Sequence, residues 1–264
     1  MNSIERQEYL IETALKNQFV SIPKTAEKLG VSVETIRRDI NILCEKNKLK
    51  KVHGGAAPIK SPLWKDGDYF TRIKRNQQGK IAIAMEAAKM IQDGTIVSFD
   101  GGATTEMLAS YITNVHRVMF VVNSLPIATI LVDKINSGEI SGTVIMVGGQ
   151  INSPGYRTYT PMALDTLDKY YCNIAFLSCT ALSADGATSG ALNTGVYAQH
   201  LMRRAATSVL LTDSEKLGKS SLYEFAKLSE LDRIIVDDLY PCPPDIVEAV
   251  ETTNTQLTIV SCQE

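Results

Sequence analysis

The sequence predicts a small α+β winged helix-turn-helix domain followed by a larger α/β domain with a mainly parallel sheet. Three observations predict it. Residues 1–75 carry 15 Lys/Arg against 9 Asp/Glu and the remainder 12 against 20, so a basic arm (net +6) precedes an acidic body (net −8). Within the arm, two short helical stretches are joined by the turn Gly30-Val31-Ser32. Beyond it, short β-branched runs alternate with helical stretches, the pattern of a parallel sheet covered on both faces. The expected division is 1–57 for the first domain, 58–75 for a linker, and 76–264 for the second domain. At 44% hydrophobic, the 264 residues supply cores for two unequal domains.

The first helix is expected from Ser3, an available N-cap, to about Lys16, with Ile4, Leu10, Ile11, Ala14 and Leu15 largely on one face. A second runs from about Pro23 to Leu29, where Pro suits the first turn and Gly30 the left-handed position after the last. Ser32 then caps a third helix that turns Ile36, Ile40 and Leu43 inward. Its outer face carries Thr35, Arg37, Arg38 and Asn41, with Glu34 near the start. Arg can bridge two acceptors of guanine or clamp a phosphate, Asn can read adenine, and Thr can meet a thymine methyl, so Ser32, Glu34, Thr35, Arg37, Arg38 and Asn41 are candidates for a major-groove reader. Leu49–Gly55 combines apolar alternation, basic residues and a Gly-Gly turn. It is expected to form a β wing whose Lys50, Lys51 and His53 touch phosphates or the minor groove. The competing reading makes Arg37-Arg38 a solvated helix face.

Val31-Ser32-Val33-Glu34-Thr35-Ile36-Arg37-Arg38-Asp39-Ile40, followed by Val52-His53-Gly54-Gly55-Ala56, resembles the signature of the DeoR family of bacterial transcription regulators, and the resemblance continues through most of the chain. It implies a double-stranded operator as partner. Ala56 to about Gly67, with Pro58, Pro62 and Gly67 and no sustained periodicity, reads as linker; Trp64 within it is expected to pack rather than do chemistry.

Strands are expected at Thr95–Phe99, Val118–Val122, Thr143–Val147, Ile174–Leu177, Ser208–Leu211, Arg233–Val236 and Leu257–Val260, with helices near Lys80–Ile91, Thr105–Ile112 and Pro126–Ile135. Ligands of such sheets sit beyond the carboxyl ends of the strands. The first strand ends in Asp100-Gly101-Gly102-Ala103-Thr104-Thr105 before a helix, where glycines, hydroxyls and a helix N-terminus offer a phosphate cradle. Other strand ends bring Asn123-Ser124, Gly148-Gly149, and Asp213 with Lys216. No Gly-x-Gly-x-x-Gly or P-loop pattern is present, which argues against NAD and ATP. The five cysteines lack a Cys-x-x-Cys pair and the three histidines form no spaced set, so no cofactor or metal is expected. With no signal-like or membrane-spanning apolar segment, a cytoplasmic location is expected.

The family resemblance implies a sensor resembling the ribose phosphate isomerase fold that binds phosphorylated sugars or related intermediates. Its Asp-x-Gly-x-Thr-Thr loop, Thr-Asn-Ser strand end, Gly-Gly turn and Asp-x-x-Lys segment fall on Asp100, Gly102, Thr104, Thr105, Asn123, Ser124, Gly148, Gly149, Asp213 and Lys216. Departures stand at Ala103, Val122, Asn173 and Glu215, and Asn193–Tyr197 lacks the acidic residues usual before Met202-Arg203-Arg204. The isomerases carry an Asp-Gly-Ala-Asp-Glu segment, whereas Asp185-Gly186-Ala187-Thr188 lacks the acidic pair, so a regulator is expected rather than an enzyme. The resemblance further implies a repressor of carbohydrate utilisation, released by a small phosphorylated metabolite and acting as a homo-oligomer, dimer or tetramer. The alternatives are an α/β domain that only oligomerises, and a sugar phosphate isomerase.

Overall fold

The computed structural model describes residues 2–17, 19–46, 48–52, 54–58, 69–152 and 155–262. His53 and Trp64 lie outside them. The chain divides into two compact units, residues 1–61 and 62–264.

The first unit runs α1 (Ser3–Asn17), β1 (Val20–Ser21), α2 (Ile22–Leu29), α3 (Val33–Glu45), β2 (Leu49–Val52) and β3 (Gly55–Pro58). Leu10, Ala14, Val20, Ile36, Ile40, Leu43 and Leu49 form its core. Gly30 takes φ 63° and its amide closes α2, while the Ser32 hydroxyl accepts from the Thr35 amide at 3.1 Å. The cap of α1 differs from expectation. Asn2 fills it, its Oδ1 accepting from the Glu5 amide while Glu5 accepts from the Asn2 amide, both at 3.0 Å. Ser3 instead donates to Asp39 at 3.4 Å. Asp39, buried on α3, also receives Gln7 Nε2 at 3.1 Å and the Arg6 guanidinium, so one carboxylate ties α1 to α3.

The wing is a three-stranded antiparallel sheet in the order β1-β3-β2. The residues of β1 are too few to show a period, and they become a strand only by pairing with Gly55 and Ala56. A Cβ at Gly55 would stand 1.9 Å from the Val20 carbonyl oxygen. Gly55→Ala is therefore expected to cost the first unit roughly 1–3 kcal/mol, read as faster amide hydrogen exchange in α1–α3 with the amides of residues 96–99 unchanged.

The second unit opens with α4 (Tyr69–Lys74) and α5 (Gln77–Ala88), then alternates β4 (Ile96–Phe99), α6 (Ala103–Tyr111), β5 (Val118–Val122), α7 (Leu125–Asn136) and β6 (Gly142–Met146). A hairpin, β7 (Ile151–Asn152) and β8 (Arg157–Thr158), precedes α8 (Pro161–Leu167) and β9 (Cys172–Ser178). There follow β10 (Ala181–Ser183), β11 (Gly186–Ser189), α9 (Leu192–Arg203), β12 (Ala205–Thr212), β13 (Tyr223–Ala226), β14 (Arg233–Asp237), α10 (Pro244–Glu251) and β15 (Gln256–Val260). Helix α4 corrects the sequence reading of 58–75 as linker. It lacks apolar periodicity and is held by tertiary contacts: Tyr69 packs on Tyr156 with ring centroids 4.9 Å apart and donates to the Glu106 carboxylate at 3.1 Å.

Seven parallel strands pair in the order β15-β14-β12-β9-β4-β5-β6. Strand alternation divides the core. Val97, Phe99, Phe120, Phe176 and Leu211 meet Ile83, Ala87, Leu108 and Leu131 of α5–α7 on one face. Val121, Ala175, Leu177, Leu210 and Ile234 meet Leu167, Tyr197, Leu201 and Ile246 of α8–α10 on the other. A small antiparallel sheet, β10-β11-β13, sits on that second side. Strand order reverses between β4 and β9, since the chain runs outward from β4 through β5 and β6, and from β9 through β12, β14 and β15. The crevice beyond the carboxyl ends at such a switch point is where open parallel sheets place ligands.

Candidate functional site

Two sites are built by these units. On α3, Glu34, Arg37, Arg38 and Asn41 share one face at intervals of three and four, opposite the buried Ile36, Ile40 and Leu43. Arg37 and Arg38 are exposed; Thr35 and Asn41 are half-buried. Lys50 and Lys51 project from β2 into solvent, and Lys51 Nζ donates to Asn41 Oδ1 at 3.1 Å, which joins wing strand to helix. Arg37 is paired with Glu34 on the same face. Ser32 serves as the cap and holds the first turn of α3 in place.

At the switch point of the second unit, a small cleft is lined by Arg72, Arg75, Lys80, Gly102, Ala103, Thr104, Ser178, Cys179, Asp213 and Lys216. Four of these ten are cations. Gly102–Thr104 form the N-terminal end of α6, whose first amides have no partner within the helix. Cation and amide donors thus converge on one space, an arrangement suited to an anion. Asp213, buried, stands 3.5 Å from Lys216 Nζ and 3.9 Å from Lys80 Nζ, and Lys216 also donates to the Cys179 carbonyl at 3.0 Å. Asp213 Oδ1 has no hydrogen-bond partner among the described residues.

Behind the loop, Asp100 is fully buried and accepts from Ser178 Oγ at 2.7 Å, which bridges the ends of β4 and β9. Burial pushes its carboxyl above the usual carboxylate value, against the opposing pull of Arg157 and Ser178. Its Oδ1 is likewise without a partner. Burial also raises Glu106, and drives Tyr69, which Glu106 holds protonated, up to about 12.

The remaining residues singled out in sequence divide by what they touch. Thr105 Oγ1 donates to the Asp100 and Gly102 carbonyls, and Asn123 accepts from the Gly101 amide at 3.0 Å while donating to Thr158, so both shape the loop from within. Ser124 starts α7 and bridges to Arg157. Gly148 and Gly149 are exposed at the end of β6, away from the lining residues; Gly149, at φ 127°, packs on Thr160. Part of the glycine signal is packing: a Cβ at Gly101 would meet Arg157 at 2.8 Å, and one at Gly102 would meet Ser178 at 2.7 Å. Asn173 accepts from the Ile96 amide at 2.7 Å, at the opposite end of the sheet from the cleft.

Arg72, Arg75, Lys80, Ser178 and Cys179 were not legible as site residues. Lys80 carried a usable signal, since it falls on the face of α5 that buries Ile83, Ala84 and Ala87. Arg72 and Arg75 sit in the stretch whose composition reads as linker. Among the described residues, no three His, Cys, Asp or Glu gather to hold a metal, and no helix is long and apolar enough to cross a membrane.

A solvent-facing basic helix-turn-helix on the same chain as an enclosed strand-end cleft defines a DNA-binding regulator with a small-molecule effector site. The DeoR-like helix-turn-helix domain matches residues 6–62 and the DeoR C terminal sensor domain residues 75–238, so the chain belongs to the DeoR family of transcription regulators, DNA-binding proteins rather than enzymes. It is 29% identical over 259 residues to the HTH-type transcriptional regulator UlaR of Shigella sonnei, covering 97% of this chain and 99% of that one. The UlaR of Escherichia coli K12 matches equally. Among solved structures, ribose 5-phosphate isomerase A from Neisseria gonorrhoeae aligns at 9% identity over 56% of each chain, with a TM-score of 0.39. The eIF2B delta of Chaetomium thermophilum aligns at 16% identity, over 56% of this chain and 52% of that one, with a TM-score of 0.37. The chain spans about half the length of these structures.

Arg38→Ala is expected to weaken DNA binding by about tenfold and to lower the slope of log affinity against log salt by about one, measured by anisotropy at several salt concentrations. An unchanged affinity and slope would remove α3 as the reader.

Proposed function

We propose that this regulator is a repressor of a carbohydrate-utilisation operon, controlled by a phosphorylated sugar or related metabolite bound in the switch-point cleft. The observation that carries the reading is the convergence of Arg72, Arg75, Lys80 and Lys216 on the N-terminal end of α6. A phosphoryl group takes the cations and amides. The unpartnered oxygens of Asp213 and Asp100 are acceptors suited to a polyol, Asp213 beside the cleft and Asp100 immediately behind it. An α/β unit that only oligomerises gives no reason for four cations to line one strand-end cleft; an anionic effector does.

The residues proposed to read operator DNA are Arg37, Arg38, Thr35, Asn41, Lys50 and Lys51, together with His53. Control requires that the metabolite bind the DNA-competent and DNA-incompetent states unequally, and a homo-oligomer carrying paired readers supplies two such states. The proposed division is a reader at 1–57 and a sensing and oligomerising body that includes α4 from Tyr69 onward.

The test is fluorescence anisotropy of the full chain on DNA from upstream of its own gene, titrated with a panel of sugar phosphates. One compound is expected to release the DNA. Lys216→Ala is expected to lose that response, shifting the half-effective concentration by at least about tenfold, while leaving DNA affinity in place. Binding that no compound shifts would favour the oligomerisation-only reading.

A further inference from the structure

Arg75 lines the cleft, yet it already has an anion. Its Nε lies 2.7 Å from Glu215 Oε2, with both side chains about one-quarter exposed. Glu215 stands on the single 3-10 turn Ser214–Lys216, between Asp213 and Lys216. Four consecutive positions of chain, 213–216, thus include both carboxylates that face the cleft's cations and one of the cations themselves.

The two carboxylates differ in their freedom. Asp213 is 1% exposed and sits between two buried lysines, so moving it would strand their charges. Glu215 is partly solvated and has a longer side chain, and leaving Arg75 returns its carboxylate to water at small cost. On the other side of the pair, Arg75 follows α4, a helix with no buried residue, and its carbonyl accepts Lys80 Nζ. The ion pair therefore links the wall of the cleft that follows α4 to the turn that carries Lys216.

We propose that Glu215 is a built-in competitor for the cleft: its carboxylate occupies Arg75, and an entering phosphoryl group must displace it, so Glu215 sets the affinity for phosphorylated ligands. The inference rests on the reading of the cleft as an anion site. It differs from that reading in its sign, because an acidic residue that merely completes the site would lose affinity when neutralised, whereas a competitor gains it.

The test is calorimetric titration of the full chain with inorganic phosphate. Glu215→Gln is expected to tighten binding by about three- to tenfold, the scale of a partly solvated ion pair. Glu215→Asp keeps the charge but draws it back by one methylene, and is expected to fall between. With Arg75→Gln in place, the gain from Glu215→Gln should shrink below about twofold, since the pair and not the net charge is responsible. Lys216→Gln should abolish binding in either background. If the wild-type chain binds phosphate and Glu215→Gln binds it equally or more weakly, the competitor is overturned and the cleft stands. If neither the wild-type chain nor Glu215→Gln binds phosphate, both fall.

Discussion

Asp213 holds two lysines that the fold has taken out of water. Lys80 and Lys216 are 2% and 6% exposed, and each would cost several kcal/mol if buried without compensation. The carboxylate between them, together with the carbonyls of Arg75 and Cys179, offsets that cost. Each partner comes from a different element: Lys80 from α5, Asp213 from the end of β12, and Cys179 from the end of β9. The charge cluster is satisfied only when the sheet is assembled in its observed order with α5 across it. The cations that shape the cleft are therefore also a condition on the fold around it.

The same placement explains what the sequence could show. All seven strands of the main sheet were legible because each reads as a short apolar, β-branched run between helical stretches, the five inner ones largely buried and the edge strands β6 and β15 partly exposed. Order was not: nothing in Phe99-Asp100 or Ser178-Cys179 says that β4 and β9 are neighbours, and the site follows from that adjacency. Strands β10, β11 and β13 and the hairpin β7–β8 were missed for another reason. They are short, polar at several positions, and lie on the core rather than within it, so alternation is weak. Residues Gly102–Thr104, Asp213 and Lys216 were legible because loop chemistry at a strand end is local. Arg72, Arg75 and Lys80 were not, because they reach the cleft from elements preceding the first sheet strand. For α4, tertiary contacts of Tyr69 create the helix that composition does not predict.

Asp39 shows the converse at the reading helix. In sequence it belongs to the Thr-Ile-Arg-Arg-Asp run and resembles one more polar residue of an outer face. In the structure it points inward, collecting Ser3, Gln7 and Arg6 of α1. Arg37 and Arg38 are thereby presented by a helix whose opposite face is fixed both by Ile36 and Ile40 and by a buried polar contact. A reader needs that rigidity, because base-edge recognition depends on where a guanidinium sits more than on its presence.

The two sites use the same residue types under opposite electrostatic conditions. On α3 and β2 the cations are exposed, so the proposed attraction to a phosphate backbone would be screened by salt and owe much to counterion release. In the cleft they are enclosed by the α6 terminus and the strand ends, where screening is weak and each charge needs an internal counter-charge to be tolerated at all. Asp213 and Glu215 meet that need. An exposed site can leave its cations solvated and ready. An enclosed one must hold its own anions, and the ease with which those anions yield then governs which ligands enter.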